Sequence, residues 1–115
     1  MSEPTICLIE DDPIMGQSLC DRFELEGFAV DWHRTVAAAE KGLRQRDYAV
    51  VVSDIRLPDR DGGELFLAER ERGGLAPPFI FITGFGTIDR AVALLDVIAR
   101  DRAEALADRR APEAW

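Results

Sequence analysis

The stretch of sequence that decides the fold is YAVVVSDIRLPDRDG, residues 48–62. Its first six residues, 48–53, are uncharged and rich in β-branched valine, which predicts a strand buried on both faces. Asp54 follows this strand directly, and a loop rich in turn-forming residues, 57–63, comes next. A buried strand that runs straight into a polar loop is typical of a parallel sheet, in which ligands bind at the carboxyl ends of the strands.

Strand-like and helix-like patterns alternate on both sides of this stretch. Further strands are predicted at Thr5–Ile9, Phe28–His33 and Phe79–Thr83. Helices are predicted from Pro13, with Asp12 as N-cap, until Gly27 ends the helix; after the cap Thr35 to about Arg46; from about Glu64 to Arg72; and from Ile88 to about Arg109. This alternation predicts a parallel sheet that is covered by helices.

The bulk composition limits the classes of function. A chain of 115 residues has room for one domain, and a hydrophobic content of 47% excludes a disordered chain. The formal charge of −8 disfavours direct binding to nucleic acid or to an anionic membrane surface. The start of the chain lacks the features of a signal peptide, and no apolar run approaches the ~20 residues that span a bilayer. We therefore expect a cytoplasmic protein, in which Cys7 and Cys20 are two buried free thiols.

Polar side chains follow three of the predicted strands at the point where each strand ends. Glu10, Asp11 and Asp12 come after the first strand, Asp54 after the third, and Thr83 ends the fourth. Carboxylates that converge in this way repel each other unless a cation lies between them. Oxygen ligands suit Mg²⁺, which uses few carboxylates and keeps several waters. The sequence therefore predicts a magnesium site at this edge of the sheet.

A purely structural role for these acids is the alternative. It explains Asp12 well, because an N-cap directly before Pro13 is a common helix start. It does not explain Glu10, Asp11 and Asp54, which stand at two different strand ends. We expect structural roles elsewhere too: His33 closes a strand, and the charged run 69–72 is interpreted as a solvated helix face.

From about Thr5 to Leu95 the chain resembles the receiver domains of two-component response regulators. The matching motifs are LIEDDP at 8–13, VSDIRLPDRDG at 52–62 and FITG at 81–84. The wording ITGFG at 82–86 is most similar to receivers of sigma-54-dependent transcription activators. The resemblance implies a three-layer α/β sandwich with a flavodoxin-like parallel sheet in the order 2-1-3-4. The whole chain, 1–115, is expected to form a single domain that is receiver-like at 5–95 and ends in a divergent helix at 96–110.

The resemblance also implies a role for each site residue. Asp54 is then the nucleophile that takes a phosphoryl group from the phosphohistidine of a sensor histidine kinase. Asp11 is expected to bind Mg²⁺ directly and Glu10 through water, while the backbone carbonyl of Arg56 completes the protein ligands. Thr83 is expected to donate a hydrogen bond to the transferred phosphoryl group.

The end of the chain departs from the family pattern. Receivers normally continue into a fifth strand that ends in Lys-Pro, whereas the only lysine here is Lys41 and nothing after Leu95 resembles that strand. Arg56, Arg60 and Arg90 are the candidates to replace the missing charge. The fourth strand, 79–83, is then an apolar sheet edge.

A second copy of the chain is the expected cover for this edge. The last predicted helix carries an apolar stripe from Ile88 to Leu106, which favours a homodimer through this helix and the Phe79–Thr83 edge. On this hypothesis, Leu95→Glu weakens the dimer.

Three functions remain open from the sequence. The chain is a phosphoacceptor that relays a signal, or a degenerate receiver that acts only through protein association. A Mg²⁺-dependent phosphatase-like enzyme ranks last, because Arg56 stands where such an enzyme needs a general acid two residues after Asp54. We therefore expect a signalling domain and not an enzyme.

Overall fold

The structure is a computed structural model, and it describes residues 5–55, 57–72, 76–82, 92–95 and 97–98. The strands are β1 (Thr5–Ile9), β2 (Ala29–His33), β3 (Val50–Asp54) and β4 (Phe79–Ile82). The helices are α1 (Pro13–Leu25), α2 (Val36–Gln45) and α3 (Gly62–Glu71). Residues 92–95 and 97–98 are also helical.

The four strands form one parallel sheet in the order β2-β1-β3-β4, as predicted. In the register, Ile6 lies beside Val50, and Asp54 lies beside Ile82. All strands point the same way, so the residues that follow β1 and β3 leave the sheet on the same side, at the carboxyl ends of the strands, which we call the carboxyl edge. This edge carries the polar side chains that the sequence singled out.

Two hydrophobic cores lie on opposite faces of the sheet, because successive side chains of a strand point to opposite sides. One core joins Leu8 and Val52 of the sheet to Phe23 of α1, and the other joins Cys7 and Val51 to helices α2 and α3. Layers of helix, sheet and helix confirm the three-layer sandwich.

Helix α1 begins and ends as the sequence indicates. The side chain of Asp12 accepts a hydrogen bond from the backbone nitrogen of Ile14 at 2.9 Å, and Pro13 is the first helical residue. Beyond the helix, Gly27 has φ = 93°, a left-handed conformation that glycine adopts without a steric penalty. The N-cap role explains why Asp12 stands apart from the other acids of its loop.

Two predicted boundaries were wrong by two residues. Strand β3 begins at Val50 and not at Tyr48, because pairing with β1 starts at Ile6. Helix α3 begins at Gly62 and not near Glu64. The reason is Asp61, whose side chain accepts a hydrogen bond from the backbone nitrogen of Gly63 and caps the helix earlier.

The interpretation of run 69–72 as a solvated face was wrong for Glu69. Its side chain is buried, with a relative exposure of 6%. Arg72 compensates the buried charge, because its Nη1 donates to both carboxylate oxygens at 2.8 and 3.0 Å.

The expectation for Leu95 also needs correction. Leu95 is fully buried in the first core of its own chain, where Val92 and Ile98 pack beside it. A buried core residue cannot report on a dimer contact, because its substitution by glutamate would unfold the chain first. The rest of the predicted helix, Ile88–Arg109, lies outside the described residues.

Cys7 and Cys20 are free and buried, as predicted. Burial raises the pKa of both thiols, that of Cys20 to about 11, so neither is a reactive thiolate at neutral pH. Within the part of the chain that the structure describes, no helix combines the length and apolar character needed to cross a membrane.

Candidate metal and phosphoacceptor site

Three carboxylates meet at the carboxyl edge of the sheet. Glu10, Asp11 and Asp54 each offer an oxygen, and these oxygens lie within 4.8 Å of one another. Glu10 and Asp11 directly follow β1, and Asp54 is the last residue of β3. The neighbouring position of β1 and β3 in the sheet is therefore what brings the three acids together.

The three acids differ in exposure. Glu10 is buried at 5% relative exposure, Asp54 is half-buried, and Asp11 is exposed. The carboxylate cluster is therefore accessible to solvent at Asp11 and shielded from solvent at Glu10. An ion from solution could therefore reach all three carboxylates.

The electrostatics of the cluster favour a cation. Burial raises the pKa of Glu10, a hydrogen bond from the backbone of Asp12 opposes this, and contacts with Asp11 and Asp54 raise the pKa further. The net direction is upward, so the ionised form of Glu10 is disfavoured without a counter-charge. Three close oxygen donors fit Mg²⁺, and a bound ion would remove this repulsion.

A glycine allows the start of α3 to approach Asp54. A Cβ placed on Gly62 would lie 2.6 Å from the backbone oxygen of Asp54 and 2.8 Å from Oγ of Ser53. Gly62 also donates its backbone N–H to the carbonyl of Ile55 at 2.8 Å. Sequence reasoning missed this requirement for glycine, because Gly62 stands there only as the last residue of a matching motif.

The loop between Asp54 and α3 is bonded to α2. The two carboxylate oxygens of Asp59 accept from the backbone nitrogens of Val36 and Ala37, each at 3.0 Å. These bonds lower the pKa of Asp59 by stabilising the carboxylate. Arg60 forms an ion pair with Glu40 of α2, so its guanidinium is engaged there and not at the carboxylate cluster.

The structure brings together Glu10, Asp11 and Asp54 of the predicted site. The other two predicted members, Arg56 and Thr83, lie outside the described residues. Their proposed roles therefore rest on the resemblance alone.

A second polar cluster lies at the outer strand β2 and was missed by the sequence reasoning. The hydroxyl of Tyr48 donates to Asp31, and Nε2 of His33 lies 3.2 Å from the same carboxylate oxygen. Arg46 approaches that oxygen at 3.7 Å. Burial raises the pKa of Asp31, but these partners outweigh it and the net direction is downward. The contacts of His33 fit the structural role that the sequence predicted.

Comparison with known proteins agrees with the geometry. The family model for the response regulator receiver domain matches residues 6–102. The swarming motility regulation protein RssB of Serratia marcescens is 38% identical over 84% of this chain and 43% of its own length. The transcriptional regulatory protein BasR of Escherichia coli is 36% identical over the same shares. The chain thus spans about two fifths of the length of these relatives.

One solved structure illustrates the fold. The response regulator TrrA from Thermotoga maritima, crystallised with Mg²⁺ and BeF, superposes with a TM-score of 0.70 over 83% of this chain and 98% of that one. Its sequence identity is 18%, so the likeness concerns the fold.

Proposed function

The chain belongs to the response regulator receiver domain family, and from that premise we propose that it accepts a phosphoryl group on Asp54 in a Mg²⁺-dependent reaction. The donor is the phosphohistidine of a sensor histidine kinase. The observation that carries the proposal is the convergence of three carboxylate oxygens within 4.8 Å at the ends of β1 and β3. TrrA, a protein of the same fold, was crystallised with Mg²⁺ and BeF, which supports this choice of ion.

The chemistry is a direct phosphoryl transfer. A carboxylate oxygen of Asp54 attacks the phosphorus atom, a P–O bond forms, and the P–N bond breaks. The electron pair of that bond leaves with the imidazole of the kinase. Mg²⁺, when bound, would neutralise charge on the phosphoryl oxygens.

The residues of the chain have separate roles in binding the ion and the phosphoryl group. Asp11 and Asp54 would bind the ion directly, Glu10 would hold it through water, and the carbonyl of Arg56 would be a further ligand. Thr83 donates a hydrogen bond to the transferred group. Gly62 keeps space for the backbone of Asp54 at the start of α3.

Family members are signalling domains, and several relatives are named as transcriptional regulators. We propose the same type of role here: phosphorylation shifts a conformational or dimerisation equilibrium that another domain or protein detects. The Asp59 bonds to Val36 and Ala37 offer one route by which a change in the loop after Asp54 reaches α2.

Phosphorylation with a small donor tests the proposal. Incubation with acetyl phosphate should add the mass of one phosphoryl group in the presence of Mg²⁺, and nothing when the ion is chelated. Asp54→Asn should abolish the gain because the nucleophile is lost. Asp21→Asn is the matched control, since it makes the same change on the exposed face of α1.

A folded wild-type chain that binds Mg²⁺ but gains no mass would contradict phosphoacceptor activity. The degenerate receiver, which acts only through association, would then be the better description. The observation that favours this second candidate is the presence of a single lysine, Lys41, in α2 and not after the fourth strand.

Association is the second part of the proposal. Strand β4 is an end strand of the described sheet, and Leu94 and Val97 are exposed at 51% and 60%. We propose a homodimer that covers the Phe79–Thr83 edge and uses the Ile88–Leu106 segment.

Substitution at Leu94 tests this dimer. Leu94→Glu should shift the chain from dimer to monomer in sedimentation at micromolar concentration, because it places a charge in the apolar contact. Leu25→Glu, the same change at an exposed leucine of α1, should leave the dimer intact. A wild-type chain that sediments as a monomer would refute the association.

A further inference from the structure

The acidic loop after β1 is bonded to the end of strand β2 by three consecutive residues. Nε1 of Trp32 donates to the backbone oxygen of Glu10 at 2.9 Å. The backbone nitrogen of Glu10 donates to the oxygen of His33 at 3.0 Å. Nη2 of Arg34 donates to the backbone oxygen of Asp11 at 2.9 Å. We call these the β2–loop contacts.

We propose that Trp32 and Arg34 are positioning residues for the metal site, and that the β2–loop contacts set its affinity for Mg²⁺. The inference rests on the proposed function, because it concerns the same site. In this inference, neither Trp32 nor Arg34 is itself a metal ligand. Both act through the backbone of the two residues that supply carboxylates, Glu10 and Asp11.

The physical reason is the cost of ordering the loop. Without an ion, the carboxylates of Glu10, Asp11 and Asp54 repel one another, which favours conformations that separate them. Hydrogen bonds to the carbonyls of Glu10 and Asp11 restrain the backbone that carries two of these side chains. A ligand set that is already restrained loses less conformational entropy on binding, so the bound state is favoured.

The donor group of Trp32 is itself fixed by helix α1. A Cβ on Gly16 would collide with the indole ring, so the absence of a side chain at Gly16 is what admits the ring. The ring also packs against the hydrophobic core that α1 shares with the sheet. Such packing restricts the rotamers of Trp32 and directs Nε1 at the carbonyl of Glu10.

A general stabilising role is the competing explanation, and three variants separate the two. Trp32→Phe keeps an aromatic ring in the core but removes the donor. Arg34→Gln removes the second donor from an exposed position. Arg44→Gln is the matched control, because it makes the same change in charge on α2, where Arg44 faces Glu40 at 4.0 Å.

Two measurements apply to each variant: Mg²⁺ titration followed by backbone amide shifts, and hydrogen exchange in metal-free protein of the amides of Glu10 and Asp12, which donate to His33 and to the Glu10 side chain. We expect Trp32→Phe to raise the dissociation constant for Mg²⁺ about tenfold, the lower range for residues that orient metal ligands. Arg34→Gln should have a smaller effect in the same direction, and Arg34→Lys should restore part of it. Exchange at Glu10, whose amide donates to His33, should accelerate in Trp32→Phe and Arg34→Gln, and Arg44→Gln should match the wild type.

The outcomes separate failure of this inference from failure of the proposed function. A wild-type chain that shows no Mg²⁺ shifts refutes the metal site itself, and the β2–loop contacts are then judged on amide exchange alone. Unchanged exchange at Glu10 in Trp32→Phe overturns the inference, as does unchanged Mg²⁺ affinity where the wild type binds. If Trp32→Phe does not fold, Arg34→Gln decides by the same criteria.

Discussion

The two polar clusters of this domain surround a carboxylate with opposite kinds of neighbour. At the carboxyl edge of the sheet, Glu10 faces two further carboxylates, Asp11 and Asp54. At the outer strand, Asp31 faces a hydroxyl and an imidazole, those of Tyr48 and His33. The pKa shifts run in opposite directions: the pKa of Glu10 is raised, and the pKa of Asp31 is lowered.

The difference distinguishes the proposed metal site from a structural contact. Asp31 has its donors within the chain, so its charge is stabilised without any ligand. Glu10 lies among like charges, which costs stability that a cation would restore. A raised carboxyl pKa among converging acids is therefore the better indicator of function, and a lowered one is typical of a closed ion pair.

The largest effect should come from a pair of glycines, one in each region. A Cβ on Gly62 would press on the backbone oxygen of Asp54 at 2.6 Å, and a Cβ on Gly42 would press on the hydroxyl of Tyr48 at 2.5 Å. We expect Gly62→Ala and Gly42→Ala each to lower the free energy of unfolding by about 2 kcal/mol, measured in urea.

Only Gly62→Ala should also slow phosphorylation, by about tenfold or more, because it displaces the backbone of Asp54, the proposed nucleophile. The rate with acetyl phosphate checks this, and Gly42→Ala serves as the control for lost stability. Equal rates in the two variants would show that the functional and structural regions are not distinct in this way.

Tyr48→Phe should have a smaller effect. It removes the hydroxyl that donates to Asp31 but preserves the buried ring, so we expect a loss of about 1 kcal/mol in the free energy of unfolding. Phosphorylation and Mg²⁺ affinity should stay at the wild-type level. A change in Mg²⁺ affinity would instead mean that the two clusters are coupled through β1 and β2.

Most of the fold could be predicted because its signals are local. Single features decide single elements: the uncharged run 48–53 predicts a strand, Asp12 caps the start of a helix, and Gly27 follows its end. The errors arose where a specific contact decides. The burial of Glu69 goes with its ion pair to Arg72, three residues further along the chain, and the start of β3 depends on where the distant strand β1 begins to pair.

The candidate site could be predicted as far as its residues stand at the carboxyl ends of strands. Parallel topology alone places residues after β1 beside residues after β3, which led to Glu10, Asp11 and Asp54. The contacts of Trp32 and Arg34 could not be foreseen, because each joins residues 22 or 23 positions apart through a side-chain donor and a backbone oxygen. No periodicity in the sequence encodes such a contact.

The smallest predicted effect is a pair of opposite pH dependences in metal-free protein. The folded-state pKa of Glu10 is raised, so the contribution of Glu10 to stability is present below its unfolded pKa of about 4.3 and is lost as the pH rises through the folded value. Glu10→Gln avoids that loss. Its stability relative to the wild type should therefore increase as the pH rises above about 4.3.

Asp31→Asn should show the reverse. The folded-state pKa of Asp31 is lowered, so its contribution is present above the unfolded pKa of about 3.9 and is lost as the pH falls through the folded value. The deficit of Asp31→Asn should then shrink toward acid. Urea unfolding measures the two trends against the wild type, for Glu10→Gln from about pH 4 upward and for Asp31→Asn from neutral pH down to below about pH 3.9. Trends of the same sign would contradict the comparison.

Mg²⁺ gives the sharper form of the same test. An ion that binds only the folded chain stabilises it by an amount that grows with the ratio of its concentration to the dissociation constant. Wild-type protein should gain this stabilisation at neutral pH, and Glu10→Gln should gain less because a carboxylate of the site is missing. Saturating Mg²⁺ should therefore reverse the order of the two proteins, leaving the wild type the more stable. Asp31→Asn should gain as much from the ion as the wild type does, because Asp31 lies in the cluster that needs no ligand.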